Sequence, residues 1–112
     1  MSVRVSGRKE IVEVLSAIKT ALGIDSVYSH FINGHALPYL AYIGTGQNSS
    51  VSDNRIDWRS NTYQVELYFK QKDEALEAAI EDEFVSGGWY FEKGEDAFLS
   101  DEGIFYIIYD LS

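Results

Sequence analysis

Carboxylates are the most abundant reactive groups in this chain, eighteen Asp and Glu against nine Lys and Arg. Glu77 and Glu81 stand four apart, with Asp73 just upstream. At helical spacing the three fall on one general side. Paired acids can transfer protons or hold a divalent cation. Here no histidine or basic residue occupies a matching helical position, and an acid-rich helix ordinarily turns its acid to water. The expectation is a solvated face. Glu95-Asp96 and Asp101-Glu102-Gly103 fall in turn-like stretches without the alternating ligand positions of a calcium loop.

His30 and His35 are the only histidines, five apart in a loop-like stretch. Two imidazoles without a third ligand make a poor zinc set. His30 could act as a base beside Asp25 or a distant acid, but nothing in the sequence places a nucleophile near it. Gly44-Thr45-Gly46 lacks the helix start and the Lys-Ser/Thr pair of a phosphate loop. Ser49, Ser50 and Ser52 lack a nucleophile-elbow context. The expectation is therefore no catalytic residue, no metal, no cofactor and no enzymatic activity.

The chain has 112 residues, enough for one domain and hardly two. A domain of this size buries roughly two-thirds of its unfolded surface, which suffices for a core without staples. Its formal charge of −9 opposes binding to nucleic acid and to anionic membranes. With no cysteine, disulfides and thiolate sites are excluded. No apolar run approaches the roughly 20 residues of a membrane span. The polar start, Met1 to Lys9, does not resemble a signal peptide, so cytoplasmic synthesis is the expectation.

Periodicity places the elements. Ile11, Val14, Leu15, Ile18, Ala21 and Leu22 form a helical stripe over about 8–21, with Ser6 as a possible cap and Gly23 as the left-handed stop. Ile24 to Tyr28 reads as a connector or a short strand. Pro38 to Ile43 reads as a strand with proline at its first position. Gly44 to Asn54 has the composition of a long loop or an extended hairpin, serving as an arm or simply disordered. A short strand is expected at 54–58. Strict alternation, with Val65, Leu67 and Phe69 on one face, makes 61–70 the central strand. Leu76, Ala79, Ile80 and Phe84 mark a second helix at 74–86, with Asp73 as its cap and Gly87-Gly88 after it. Trp89 to Lys93 is a further strand, Ala97 to Leu99 a short extended piece, and Ile104 to Leu111 the last strand.

The order helix, strand, short strand, strand, helix, strand, strand gives an α+β class. A mostly antiparallel sheet with two helices packed on it is expected, in a single domain spanning 1–112 with an arm at about 44–54. Sixteen aromatic residues, eight of them Tyr, suit a core and also an interface. Arg55, Trp58, Arg59 and Tyr63 could form a cationic and aromatic patch, or an ordinary strand end. The last strand is apolar on both faces, so either the chain covers its second face or another copy does. Candidate interface residues are Tyr42, Arg55, Trp58, Arg59, Tyr63, Ile104, Tyr106 and Ile108.

Leu37-Pro38-Tyr39-Leu40-Ala41-Tyr42, a polar loop with Asp53-Asn54-Arg55-Ile56, Tyr63-Gln64-Val65-Glu66-Leu67-Tyr68, Lys72-Asp73-Glu74 and Gly88-Trp89-Tyr90-Phe91-Glu92-Lys93 follow one another in an order that resembles small prophage proteins of Gram-positive bacteria. Those proteins are encoded among head-to-tail joining genes and are similar in size and layout to minor capsid, tail-completion and tail-terminator proteins. The resemblance covers roughly residues 36–111 and carries no functional residue set. It implies a non-enzymatic bacteriophage structural protein that self-associates, commonly as a hexameric ring, and docks on other neck or tail proteins in the virion. A small cytoplasmic dimeric binding module with an aromatic pocket is the alternative.

Overall fold

A computed structural model describes residues 9–28, 35–49 and 59–112; for 47–49 and 59–61 it describes the backbone alone. Eight elements follow in order: α1 (Ile11–Leu22), β1 (Ser26–Tyr28), β2 (Tyr39–Ser49), β3 (Arg59–Phe69), α2 (Glu74–Ser86), β4 (Phe91–Lys93), β5 (Ala97–Leu99) and β6 (Ile104–Leu111). They make an α+β domain in which two helices pack on a mostly antiparallel six-stranded sheet, ordered β1-β2-β3-β6-β4, with β5 also on β6.

The helical stripes become the core. Ile11, Val14, Leu15 and Ile18 of α1, with Ile80 and Phe84 of α2, close on Leu40, Val65, Leu67, Ile107, Tyr109 and Leu111 of the sheet. Each fully buried aliphatic or aromatic side chain contributes about 1.5–3 kcal/mol. Gly23 stops α1 at φ 73°, a conformation that costs a glycine least. Glu10, not Ser6, holds the N-cap position of α1 and makes no side-chain cap, and Ser6 lies outside the described residues. The start is held instead by tertiary bonds: Lys9 N–H donates to Gly87 (2.8 Å), and Trp89 Nε1 donates to the Lys9 carbonyl (3.0 Å). Asp73 caps α2 as expected, its side chain accepting from Leu76 N–H at 3.1 Å. Gly87 lets the helices meet, because a Cβ there would fall 2.5 Å from Val14 Cγ2.

β1 resolves the ambiguity at 24–28: it is a three-residue strand, parallel to β2. β2 starts at Tyr39, just after Pro38, and runs on to Ser49. Much of the stretch read as loop or hairpin is thus strand, paired in register with β3 as far as Ser49 opposite Arg59. Backbone pairing needs no apolar side chains, so the polar composition of 44–49 does not forbid it. The strand expected at 54–58 lies outside the described residues.

The second face of the sheet is also packed. Tyr39, Ala41, Tyr68 and Ile104 are buried there, with Val27, Leu37, Leu99 and Tyr106 against them. Tyr39, Tyr68 and Tyr106 lie side by side on three adjacent strands, with ring centroids 5.2 and 5.6 Å apart. The apolar second face of β6 is therefore covered in part by its own chain.

Candidate functional site

Where β3 turns into α2, a cleft of about 480 Å3 opens. Leu37, Pro38, Leu67, Phe69 and Leu76 supply its apolar walls, and Lys70, Lys72 and Glu77 its polar ones. The strand period fixes Leu67 and Phe69 on the helix side, and the capped first turn of α2 swings Leu76 and Glu77 over them. Volume and lining suit a small ligand or an apolar side chain of a partner. Phe69, Phe105 and Phe98 sit opposite one another on β3, β6 and β5, and their exposure rises along the row, from 4% through 36% to 56%. The cleft thus continues into an aromatic shelf.

From the polar wall of the cleft runs a charged network that the sequence did not announce. Glu77 is buried, 2% exposed, and does not belong to the solvated face expected of α2. Its Oε1 accepts from Lys72 Nζ (3.0 Å) and Lys93 Nζ (2.9 Å). Its Oε2 lies 2.9 Å from Lys72 Nζ, an ion contact without hydrogen-bond alignment. Lys72 also reaches Asp96 at 3.0 Å, and Lys93 reaches Glu81 at 2.8 Å. Tyr109 O–H donates to Glu81 Oε2 at 2.7 Å. Glu77 hydrogen bonding raises the Lys72 pKa. Burial works against Lys93, but Glu81 and Glu77 outweigh it and raise its pKa as well. Burial first, then the Glu81 bond, pushes Tyr109 far above its ordinary value. The groups are committed to one another, so the network clamps α2 to β4 and β6. One signal was legible: Glu77, Ile80 and Phe84 share a stripe at three- and four-residue steps.

His30 lies outside the described residues. His35 approaches Asp25, with Nε2 3.9 Å from Oδ2, while its Nδ1 donates to the Ala36 carbonyl and its ring lies over Tyr39. Asp25 is already paired with Lys19, whose hydrogen bond and charge hold its carboxyl below the usual range. Among the described residues no group of three or more His, Cys, Asp or Glu could hold a metal ion, and no helix is long and apolar enough to cross a membrane.

The expected interface residues are scattered. Arg55 and Trp58 lie outside the described residues. Arg59 begins β3, its backbone opposite Ser49. Tyr63 is half-buried, edge-on to Trp89 at 5.7 Å, and belongs to the flank of the helix-side core. Tyr42 is half-buried, and the exposed Tyr28 meets it edge-on at 5.3 Å. Ile104 is 5% exposed and so offers a partner little surface, whereas Tyr106 and Ile108 are half-buried. Sequence reasoning missed the cleft, which exists only once the segment before β2 meets the β3–α2 turn, and the Phe69–Phe105–Phe98 row, which needs β3, β6 and β5 in register.

The clearest open feature is a ribbon. Beyond Tyr42, no described strand pairs with the outer side of β2; beyond Tyr63, none pairs with the outer side of β3. From Gly46 opposite Thr62 to Ser49 opposite Arg59, the two strands run on alone. A bulge at Thr45 sets the ribbon off from the sheet, and Thr45 Oγ1 and Thr62 Oγ1 share a hydrogen bond of 2.8 Å across it. Compared with known proteins, the chain matches no family model and no curated protein sequence.

Proposed function

We propose that the chain is a structural subunit that works by assembly, and that its place is the head–tail junction or tail end of a phage particle. The ribbon is the observation that carries the first part. Two strands without a third strand or a covering helix are marginal in water. A ribbon of this kind can gain contacts by lying against another subunit, through the backbone groups that no described strand pairs. The second part rests on the resemblance of residues 36–111 to head-to-tail joining proteins. Ring formation, commonly of six copies, and docking on neck or tail proteins belong to that part. An acidic chain suits a ring that passes DNA without gripping it.

Mass measured under native conditions, from micromolar to millimolar concentration, tests the assembly reading. The full chain is expected to self-associate. A variant with 46–62 replaced by a tight Asn-Gly turn is expected to keep its fold and lose the association. A chain that stays monomeric throughout would sink the reading. Portal, terminase or tail-tube genes beside its own gene would support the phage assignment, and a neighbourhood without any phage gene would oppose it.

A second reading has its own observation. The cleft beside Phe69 fits a small dimeric binding module, the ligand held against Leu37, Leu67 and Leu76. Binding of apolar probes that Leu76→Lys, at a half-buried wall position, abolishes while the thermal transition is retained would favour it.

A further inference from the structure

The phenylalanine row ends in the open. Phe69 is buried and lines the cleft, its ring stacked on Phe105 at 5.7 Å. Phe105 meets Phe98 at 4.9 Å, and both are exposed. Single exposed apolar residues are ordinary, but rings that adjoin one another and continue into a cleft mark an interaction surface. The described residues beside the undescribed stretches sit elsewhere. Tyr28 lies opposite Tyr42, His35 by Asp25, Ser49 opposite Arg59 at the far end of the hairpin, and Lys9 against Gly87 at the far end of α2.

Charge indicates what the surface takes. Residues 95–102, which lead into β5 and out of it, hold four carboxylates and no Lys or Arg. The N–H groups of Glu102 and Gly103 donate to the Leu99 carbonyl at 3.1 and 2.9 Å. That closes a turn carrying Asp101 and Glu102 directly beyond the Phe98–Phe105 pair. Asp96 stands just before β5, and Asp73 and Glu74 are exposed where α2 begins. Within the cleft, Glu77 has a buried Oε2 that accepts no aligned hydrogen bond beyond its ion contact with Lys72. The apolar surface thus lies among acceptors and negative charge.

From this we infer that the shelf and cleft bind a segment of a second protein that carries an apolar side chain flanked by Lys or Arg. The apolar side chain rests on Phe105 and Phe98 and reaches toward Leu76. The flanking cations meet Asp101, Glu102 and Asp96. An Arg laid over the Phe98 ring gains a cation–π contact as well. The exposed end of the row suits a chain laid across it and gives a small molecule little enclosure. A second copy is a poor occupant: the chain carries a net charge of −9, and its Lys19, Lys72 and Lys93 already pair with acids of their own chain. The inference does not rest on the ribbon, which lies at the other end of the hairpin.

An array of random short peptides, probed with the full chain, tests it. The bound peptides are expected to carry Lys or Arg beside Leu, Phe or Trp, and to bind less as salt rises. Phe98→Ser, at an exposed position, is expected to keep the thermal transition of the parent and to weaken these peptides about fivefold or more. Asp101→Lys, also exposed, is expected to weaken them about threefold at low salt and to leave neutral apolar peptides unchanged. An array that returns no peptide, or only neutral or acidic ones, overturns the inference. So does binding that Phe98→Ser leaves unchanged. Neutral apolar peptides that bind as well as basic ones, and are lost in Leu76→Lys, overturn it and leave the small-ligand reading standing. Self-association that Phe98→Ser abolishes, without peptide binding, overturns it in favour of a second copy on the shelf.

Discussion

The hairpin of β2 and β3 has two ends that live in different surroundings. At the Phe69 end, β3 is paired on both sides, roofed by α2 and backed by Tyr39, Tyr68 and Tyr106. At the Arg59 end, the same two strands run on without a described third strand. The residue types follow the surroundings. Val65, Leu67 and Phe69 alternate with half-buried or buried partners, whereas 44–49 is Gly-Thr-Gly-Gln-Asn-Ser. One end contributes stability through burial; the other contributes backbone groups and little else. Pairing alone extends a strand but does not anchor it.

This difference can be broken experimentally, most severely in the packed half. Phe84 is fully buried between Phe91 and Tyr109. Phe84→Ala is expected to lower unfolding free energy by about 3–5 kcal/mol in denaturant melts. A loss no larger than that of a surface substitution would mean that α2 does not roof the sheet.

Glu77→Gln comes next. It leaves Lys72 and Lys93 without their shared carboxylate, but both ammoniums are partly exposed, 40% and 36%, and water softens the loss. A cost of about 2 kcal/mol is expected at neutral pH. The pH dependence sharpens the assignment. Lys72, Lys93 and Tyr109 all have pKa values raised by folding. Their contribution is complete below the unfolded values, near pH 10, and is lost as pH rises through the folded ones. The parent should therefore lose stability as pH climbs above about 10, and Glu77→Gln should lose less. Parallel alkaline curves for the two proteins would show that the network does not couple to folding.

The smallest effect belongs to the ribbon. Thr62→Ala removes the hydrogen bond to Thr45 and should cost less than about 1 kcal/mol. A loss comparable to that of Phe84→Ala would place the ribbon in the cooperative core and erase the contrast between the two ends.

The sequence by itself determined the elements whose side chains repeat with a period. The alternation at Val65, Leu67 and Phe69 places β3. The stripe through Leu76, Ile80 and Phe84 places α2 from Glu74 to Ser86 and its cap at Asp73. Together with the turn glycines, they fix the α+β class. A period reports which face of an element is buried, and that is a local property of the chain. Only the tertiary structure decided the rest. Strand order, the parallel β1 and the extension of β2 to Ser49 depend on backbone pairing between distant segments, which leaves no mark in hydropathy. Glu77 reads as one more acid on an acidic helix until Lys72 and Lys93 are brought to it from either side. The cleft needs Leu37 and Pro38 brought against the β3–α2 turn, and the phenylalanine row needs three strands in register. The place of β2 between β1 and β3 is likewise a fact of sheet order: an uncharged strand reads the same wherever in a sheet it lies.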